Sequence, residues 1–128
     1  MTRTRIQPAS LRDPVRYSLG WKVGNTLYLA GALGADPEGR FSPDIKDQTR
    51  RAWQNIDAVV KEAGGRGVQD VVQVTVFITD MRYRQAQGEV RSELFEPGRL
   101  PASTLIQCVA LADPEAFIEI EGIAVIDE

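Results

Sequence analysis

The residues best suited to chemistry in this chain are Glu119 and Glu121, two apart in Phe117-Ile118-Glu119-Ile120-Glu121-Gly122-Ile123-Ala124. Strict alternation predicts a strand with both carboxylates on one face and Ile118 and Ile120 on the other, so acids stand beside a packed core. Same-face neighbours lie roughly 6 to 7 Å apart along a strand. Where water is partly excluded, each carboxylate disfavours the other's charge, and such a pair can hold a proton. The competing reading of the strand alone is a solvated face with two ordinary acids.

Composition narrows what chemistry is possible by elimination. The chain has no histidine, which excludes Ser-His-Asp and Cys-His nucleophile pairs, HExxH zinc sites and imidazole acid-base catalysis. The single cysteine, Cys108, cannot form an internal disulfide and removes zinc ribbons and CxxC redox chemistry. The lysines, Lys22, Lys46 and Lys61, fall where a strand or helix would show them to solvent, which disfavours Schiff-base catalysis. Carboxylates, tyrosine, arginine, backbone dipoles and bound water are what is left, and we expect no metal and no cofactor.

A net charge of -3 gives no electrostatic footprint for nucleic acid, although Arg3, Arg5, Arg12 and Arg16 make the first segment locally basic, read as a solvated or interface feature. No apolar run approaches the roughly 18 residues of a membrane span, and the opening residues lack a secretory hydrophobic segment. The expectation is a cytoplasmic protein without a membrane partner. At 128 residues and 43% hydrophobic content the chain can build one core, and residues 1–128 are read as one domain.

The elements that would position the acids follow from periodicity. Residues 16–23 and 26–31 read as strands joined by a tight Gly24-Asn25 hairpin. Residues 32–40 read as a glycine-punctuated loop with neither dinucleotide nor P-loop spacing. Ser42-Pro43-Asp44 reads as a helix start, serine as cap and proline at the first helical position. Ile45, Thr49, Ala52, Trp53, Ile56, Val59, Val60 and Ala63 form an apolar stripe that Gly64-Gly65 ends, so Trp53 is core. In residues 70–79, Val72, Val74, Val76 and Ile78 should face one way and Gln73, Thr75 and Phe77 the other. A second helix places Tyr83, Ala86, Val90 and Leu94 on one face, with Arg82, Arg84, Glu89 and Arg91 outward and Gly88 interrupting it. Pro97-Gly98 breaks that helix. Residues 104–109 lead to the final strand, and these last two strands are expected to pair.

The pattern predicts an α+β fold, a mixed and mainly antiparallel sheet with two amphipathic helices on one face. The other face, bearing Phe77 and the Trp21 or Tyr28 ring, is too apolar to stay in water, so self-association is expected.

Tyr17, Val23-Gly24-Asn25, Leu29-Ala30-Gly31, Asp47-Gln48-Thr49-Arg50, Asn55-Ile56, Glu62-Ala63-Gly64, residues 74–81, Pro101-Ala102 and residues 118–124 together resemble the Rid family, the reactive intermediate deaminases also called YjgF or UK114. The resemblance implies a chorismate-mutase-like homotrimer with a barrel-like core of sheets and a cleft between each pair of subunits. It also implies cofactor-free hydrolysis of enamines and imines to a 2-oxo acid and ammonia. Carried over by motif, the Gly31 carbonyl contacts the imine nitrogen, Tyr17 packs at the cleft and Glu119 places the attacking water, with Glu121 as its neighbour. Some members are labelled ribonucleases or translation inhibitors, an activity that would need a cationic surface.

One departure stands out. The family has arginine after Pro-Ala to grip the substrate carboxylate, whereas Pro101-Ala102 is followed here by Ser103-Thr104. Leu105 stands where a cysteine is frequent, and Gly88 where the second helix often has asparagine. Arg99, four residues before Ser103, is the candidate replacement, against a plain surface charge. Losing a bidentate clamp removes contacts worth about 1.5 to 3 kcal/mol each. Two readings stay open: an imine or enamine hydrolase with altered substrate range, or a non-catalytic trimer that binds a small metabolite or a regulatory partner.

Overall fold

The computed structural model describes residues 2–127. Six strands form one sheet in the order β1-β2-β3-β6-β4-β5, where β1 is Arg3–Ile6, β2 Gly20–Val23, β3 Thr26–Leu33, β4 Val71–Ile78, β5 Ala102–Gln107 and β6 Ile118–Val125. Helix α1 spans Ile45–Glu62 and α2 spans Arg84–Leu94. The β4–β5 pair is parallel, because the chain between them crosses over through α2, and every other pair is antiparallel. The α+β class and the mixed, mainly antiparallel sheet agree with expectation.

Helix α1 forms where the stripe predicts it. Ala52, Trp53, Ile56, Val59 and Val60 are buried against the sheet, and the Trp53 ring meets Phe95 edge-on at 5.3 Å, a geometry worth about 0.5 to 1.5 kcal/mol beyond burial. Its start differs by two residues. Asp44 is the cap and accepts from the Lys46 N–H at 2.7 Å, while the Ser42 hydroxyl accepts from the Asp44 N–H at 3.1 Å. The carboxylate reaches the second helical N–H, and that fixes the boundary. At the other end Gly64 adopts φ +96° and Gly65 N–H bonds to the Val60 carbonyl, as the double glycine implied. Lys22 donates to the Ala63 carbonyl at 3.0 Å, so it is tied to the helix end rather than free in solvent.

Four sheet expectations are corrected. Strand β2 begins at Gly20, not at residue 16, and Arg3–Ile6 adds a strand beside it. Strand β3 runs through Leu33 into the stretch read as loop. Val72 is 47% exposed, because the β4–β6 register shifts between Val71 and Gln73; the bulge puts Val71 in the core with Val74, Val76 and Ile78. The final strands do not pair: β6 lies between β3 and β4, and β5 is an edge strand against β4. The crossover through α2 carries β5 past β4, where only the outer edge is open.

In α2 the expected face is joined by buried Gln87, and Arg91 is not outward. Arg91 is half-buried with an unpartnered Nε, and burial pulls its guanidinium below the ordinary value. Across the sheet Trp21, Tyr28 and Ile106 are exposed, with the Arg3 guanidinium 6.0 Å from the Trp21 ring centre. Among the described residues no helix is long and apolar enough to cross a membrane.

Candidate functional site

Strand β6 delivers its acids as alternation dictates. Ile118 and Ile120 are fully buried, while Glu119 and Glu121 face the opposite side beside Phe77 and Thr75 of β4. What singles out Glu119 is the other neighbour. The β3–β6 register shifts between Leu29 and Ala32, so Ala30 and Gly31 bulge opposite β6. A Cβ built on Gly31 would lie 2.6 Å from the Glu119 carboxyl carbon and 2.9 Å from its Oε1. Glycine is thus a contact requirement at this position: the carboxylate lies flat on bare backbone, which removes water from one side of it. Burial first and the Glu121 charge second push the Glu119 carboxyl above the ordinary carboxylate value. The upward direction agrees with the mutual effect expected from the spacing, with burial as the larger cause.

This carboxylate opens on a cavity of about 270 Å³ that Tyr17, Gly31 and Glu119 line together. Three of the expected site residues therefore meet within one chain. The cavity is completed by groups to which the sequence reading gave no site role: Asn55 of α1, Asp36 and Gly39 of the turn after β3, and Arg12. Asn55 donates to the Leu33 and Ala35 carbonyls at 3.0 and 3.1 Å and so holds the end of β3 against α1. Asp36 accepts from the N–H groups of Glu38 and Arg40, both at 2.9 Å. The Arg40 N–H bond is the main cause that holds its carboxyl below the usual range.

The remaining expected residues lie elsewhere. Ser103 pairs with buried Val74 and Thr104 with Thr75, so Thr104 shares the sheet face of Glu121 and Ser103 points to the helix side. Two strand spacings, about 10 Å, separate Thr104 from β6. Gly88 lies inside α2, where an added Cβ would meet nothing within 4 Å, and Arg99 is exposed in the turn before β5, its N–H bonded to the Glu96 carbonyl. Neither lines the Glu119 cavity.

The segment that brings Tyr17 to the cavity, between β1 and β2, is held by its own polar contacts. Arg5 bonds Asp13 and Ser18, each at 3.0 Å, and Gln7 donates to the Leu11 carbonyl at 3.0 Å. Asp13 accepts the Val15 N–H at 2.8 Å, the main cause that lowers its carboxyl, followed among the lowering causes by Arg5. Val15 has φ +69°, a left-handed conformation costing a β-branched residue about 1 to 2 kcal/mol. Among the described residues no cluster of His, Cys, Asp or Glu is arranged to hold a metal.

A mixed six-stranded sheet with helices on one face and a carboxylate seated on a glycine bulge defines a small α+β protein with a cavity beside that carboxylate. The chain belongs to the YjgF/Rid family: the family model described as Endoribonuclease L-PSP matches residues 8–126. A RutC family protein of Pyrococcus abyssi is 40% identical over 111 residues, covering 77% of this chain and 87% of that relative. Among solved structures, RidA from an Antarctic Psychrobacter is 34% identical with a TM-score of 0.89, covering 96% of this chain and 99% of the other. YyfA of the conserved Rid family from Yersinia pestis is 28% identical with a TM-score of 0.90, covering 98% and 100%.

Proposed function

We propose that this chain is a cofactor-free hydrolase of small imines or enamines, working as a homotrimer with its site in the clefts between subunits. The observation that supports it most is the Glu119 carboxylate, seated on Gly31 at a cavity wall with its proton affinity raised. A base that works near neutral pH needs such a shift, since an ordinary carboxylate is too weak to take a proton from water. In the reaction water adds to the imine carbon as Glu119 accepts its proton. Glu119 returns that proton to nitrogen to give a carbinolamine, then relays the carbinolamine hydroxyl proton to the same nitrogen as the C=O forms and the C–N bond breaks, so that a carbonyl compound and ammonia leave; an enamine enters as its imine tautomer. The Gly31 carbonyl orients the nitrogen and Tyr17 closes one side, so positioning lowers the barrier without a covalent intermediate. The exposed Trp21, Tyr28 and Ile106 supply the apolar surface that subunit contact would cover.

The exposed serine at position 103 supports a second reading, in which the cleft binds a metabolite without hydrolysing it. Ammonia release from freshly generated 2-iminobutanoate separates the two. We expect turnover by the wild-type chain that Glu119→Gln lowers at least 100-fold, and a gain from Ser103→Arg. Release indifferent to Glu119→Gln would remove the hydrolase reading. Ligand binding without release would favour the second.

A further inference from the structure

The cavity beside Glu119 is rich in hydrocarbon and poor in groups that could hold an anion. Leu11, Leu19, Leu29, Leu33, Ile56 and Val59 give it an apolar wall, and Leu11 and Leu19 of the first segment pack against the core there without being fully buried. Its side-chain donors are few. The Asn55 amide nitrogen donates to the Leu33 and Ala35 carbonyls, which uses both of its hydrogens. That leaves the Tyr17 hydroxyl and Arg12, and Arg12 is exposed, its guanidinium 3.8 Å from the position a Cβ would take on exposed Gly39. Negative charge offsets this one solvated cation. Asp36 has one oxygen occupied by two N–H groups of its own turn and a second that makes no hydrogen bond among the described residues, and Glu119 is another acid on the same wall. A carboxylate entering this space would give up water without gaining enough donors and would meet like charge, whereas an aliphatic chain would gain from leaving water.

We propose that the Glu119 cavity takes imines that carry no carboxylate, the aldimines of short aliphatic aldehydes, with the hydrocarbon chain along Leu11, Leu19, Leu29 and Val59 and the C=N carbon at Glu119. This rests on the hydrolase reading above and narrows its substrate class. A cavity of about 270 Å³ falls just below the range of drug-sized pockets, which suits a chain of a few carbons. An aldimine is neutral or, once protonated, cationic, so neither acid on the wall repels it. Aldimine and water give aldehyde and ammonia, with no oxidant or reductant consumed. Imines of this kind form by two-electron oxidation of primary amines, which makes amine oxidation the class of reaction that must supply the substrate.

The test uses the full chain and two imines that differ only by a carboxylate: the aldimine of 3-methylbutanal, generated from 3-methylbutylamine by an amine oxidase, and 2-imino-4-methylpentanoate, generated from leucine by an amino-acid oxidase. We expect kcat/KM for ammonia release to be at least about 10-fold higher for the aldimine. Leu11→Ala should raise KM for that aldimine about 10-fold with kcat within a few-fold of wild type, while the imine of ethanal, which lacks the branched chain, should not sense Leu11. Asp36→Asn should raise turnover of the imino acid and narrow the ratio. As binding probes, neutral 3-methylbutanamide should have a Kd at least about 10-fold below that of anionic 4-methyl-2-oxopentanoate. If the amide binds preferentially and senses Leu11 but no imine is hydrolysed above the buffer rate, the selectivity stands and the hydrolase reading falls. Equal or faster turnover of the imino acid, or a Leu11→Ala chain that handles the 3-methylbutanal imine as wild type does, overturns the selectivity and leaves the hydrolase reading in place. Failure of both imines and of the amide overturns both.

Discussion

Replacing Gly31 by alanine tests whether the seat beneath Glu119 matters, because it adds one methyl group and leaves the Gly31 carbonyl in place. The new Cβ would stand 2.6 Å from the Glu119 carboxyl carbon, where ordinary contact begins at 3.4 Å, so the carboxylate must retreat by at least 3.4 − 2.6 = 0.8 Å. The obstructing atoms belong to the end of a flexible side chain, and the fold should survive at a cost of about 1 kcal/mol, or about 4 °C in Tm. Catalysis is less tolerant, since a misplacement near 1 Å can cost about 100-fold. We therefore expect kcat/KM for ammonia release to drop about 100-fold. The displaced carboxylate would also regain water, and its proton affinity, followed by carboxyl NMR, should fall toward the ordinary value. Unchanged turnover together with an unchanged Glu119 titration would show that the glycine seat has no role.

Three further outcomes follow from the same geometry. Because Glu121 is the second cause of the raised Glu119 affinity, Glu121→Gln should move the acid limb of the pH–rate profile to lower pH by less than full exposure of Glu119 would. The fold holds the Glu119 proton to higher pH than the unfolded chain does, so its contribution to stability is present below the ordinary carboxylate range and lost as pH rises through the raised value. Glu119→Gln should accordingly melt higher than wild type at neutral pH, with the difference closing below about pH 4. Gln48 is fully buried, donates to the Ser42 and Glu115 carbonyls at 2.8 and 2.9 Å and accepts from Phe117 N–H at 2.8 Å; Gln48→Ala should lower stability by about 2 to 4 kcal/mol in denaturant titrations, and a loss under 1 kcal/mol would contradict that accounting.

What could be read from the residues was what local period controls. The α1 stripe and the Glu119–Glu121 alternation each depend on side chains within a few positions, and both are as expected. The Val72 bulge was not legible, because the extra residue exists only relative to its partner on β6. The place of β5 was hidden for the same reason: its six residues look the same whether the neighbour is β4 or β6. In the site, Tyr17, Gly31 and Glu119 could be carried over from a family resemblance, whereas Arg12, Asp36 and Asn55 come from segments that meet only in space. Their advance signals were weak: Asn55 stood in a stretch that carried the family resemblance without a site role, and Arg12 in a basic run read as a solvated or interface feature.

The position of β6 also sets the order in which the molecule can be completed. It is later in the chain than β3 and β4 and separates them, so while a ribosome makes the protein those two strands wait with bare edges facing an unfilled slot. Each edge is a template for a stray neighbouring chain, and pairings so distant in sequence close slowly. Arrival of residues 118–125 fills the slot and brings Glu119 onto Gly31 in the same event, which makes the site a reporter of finished folding.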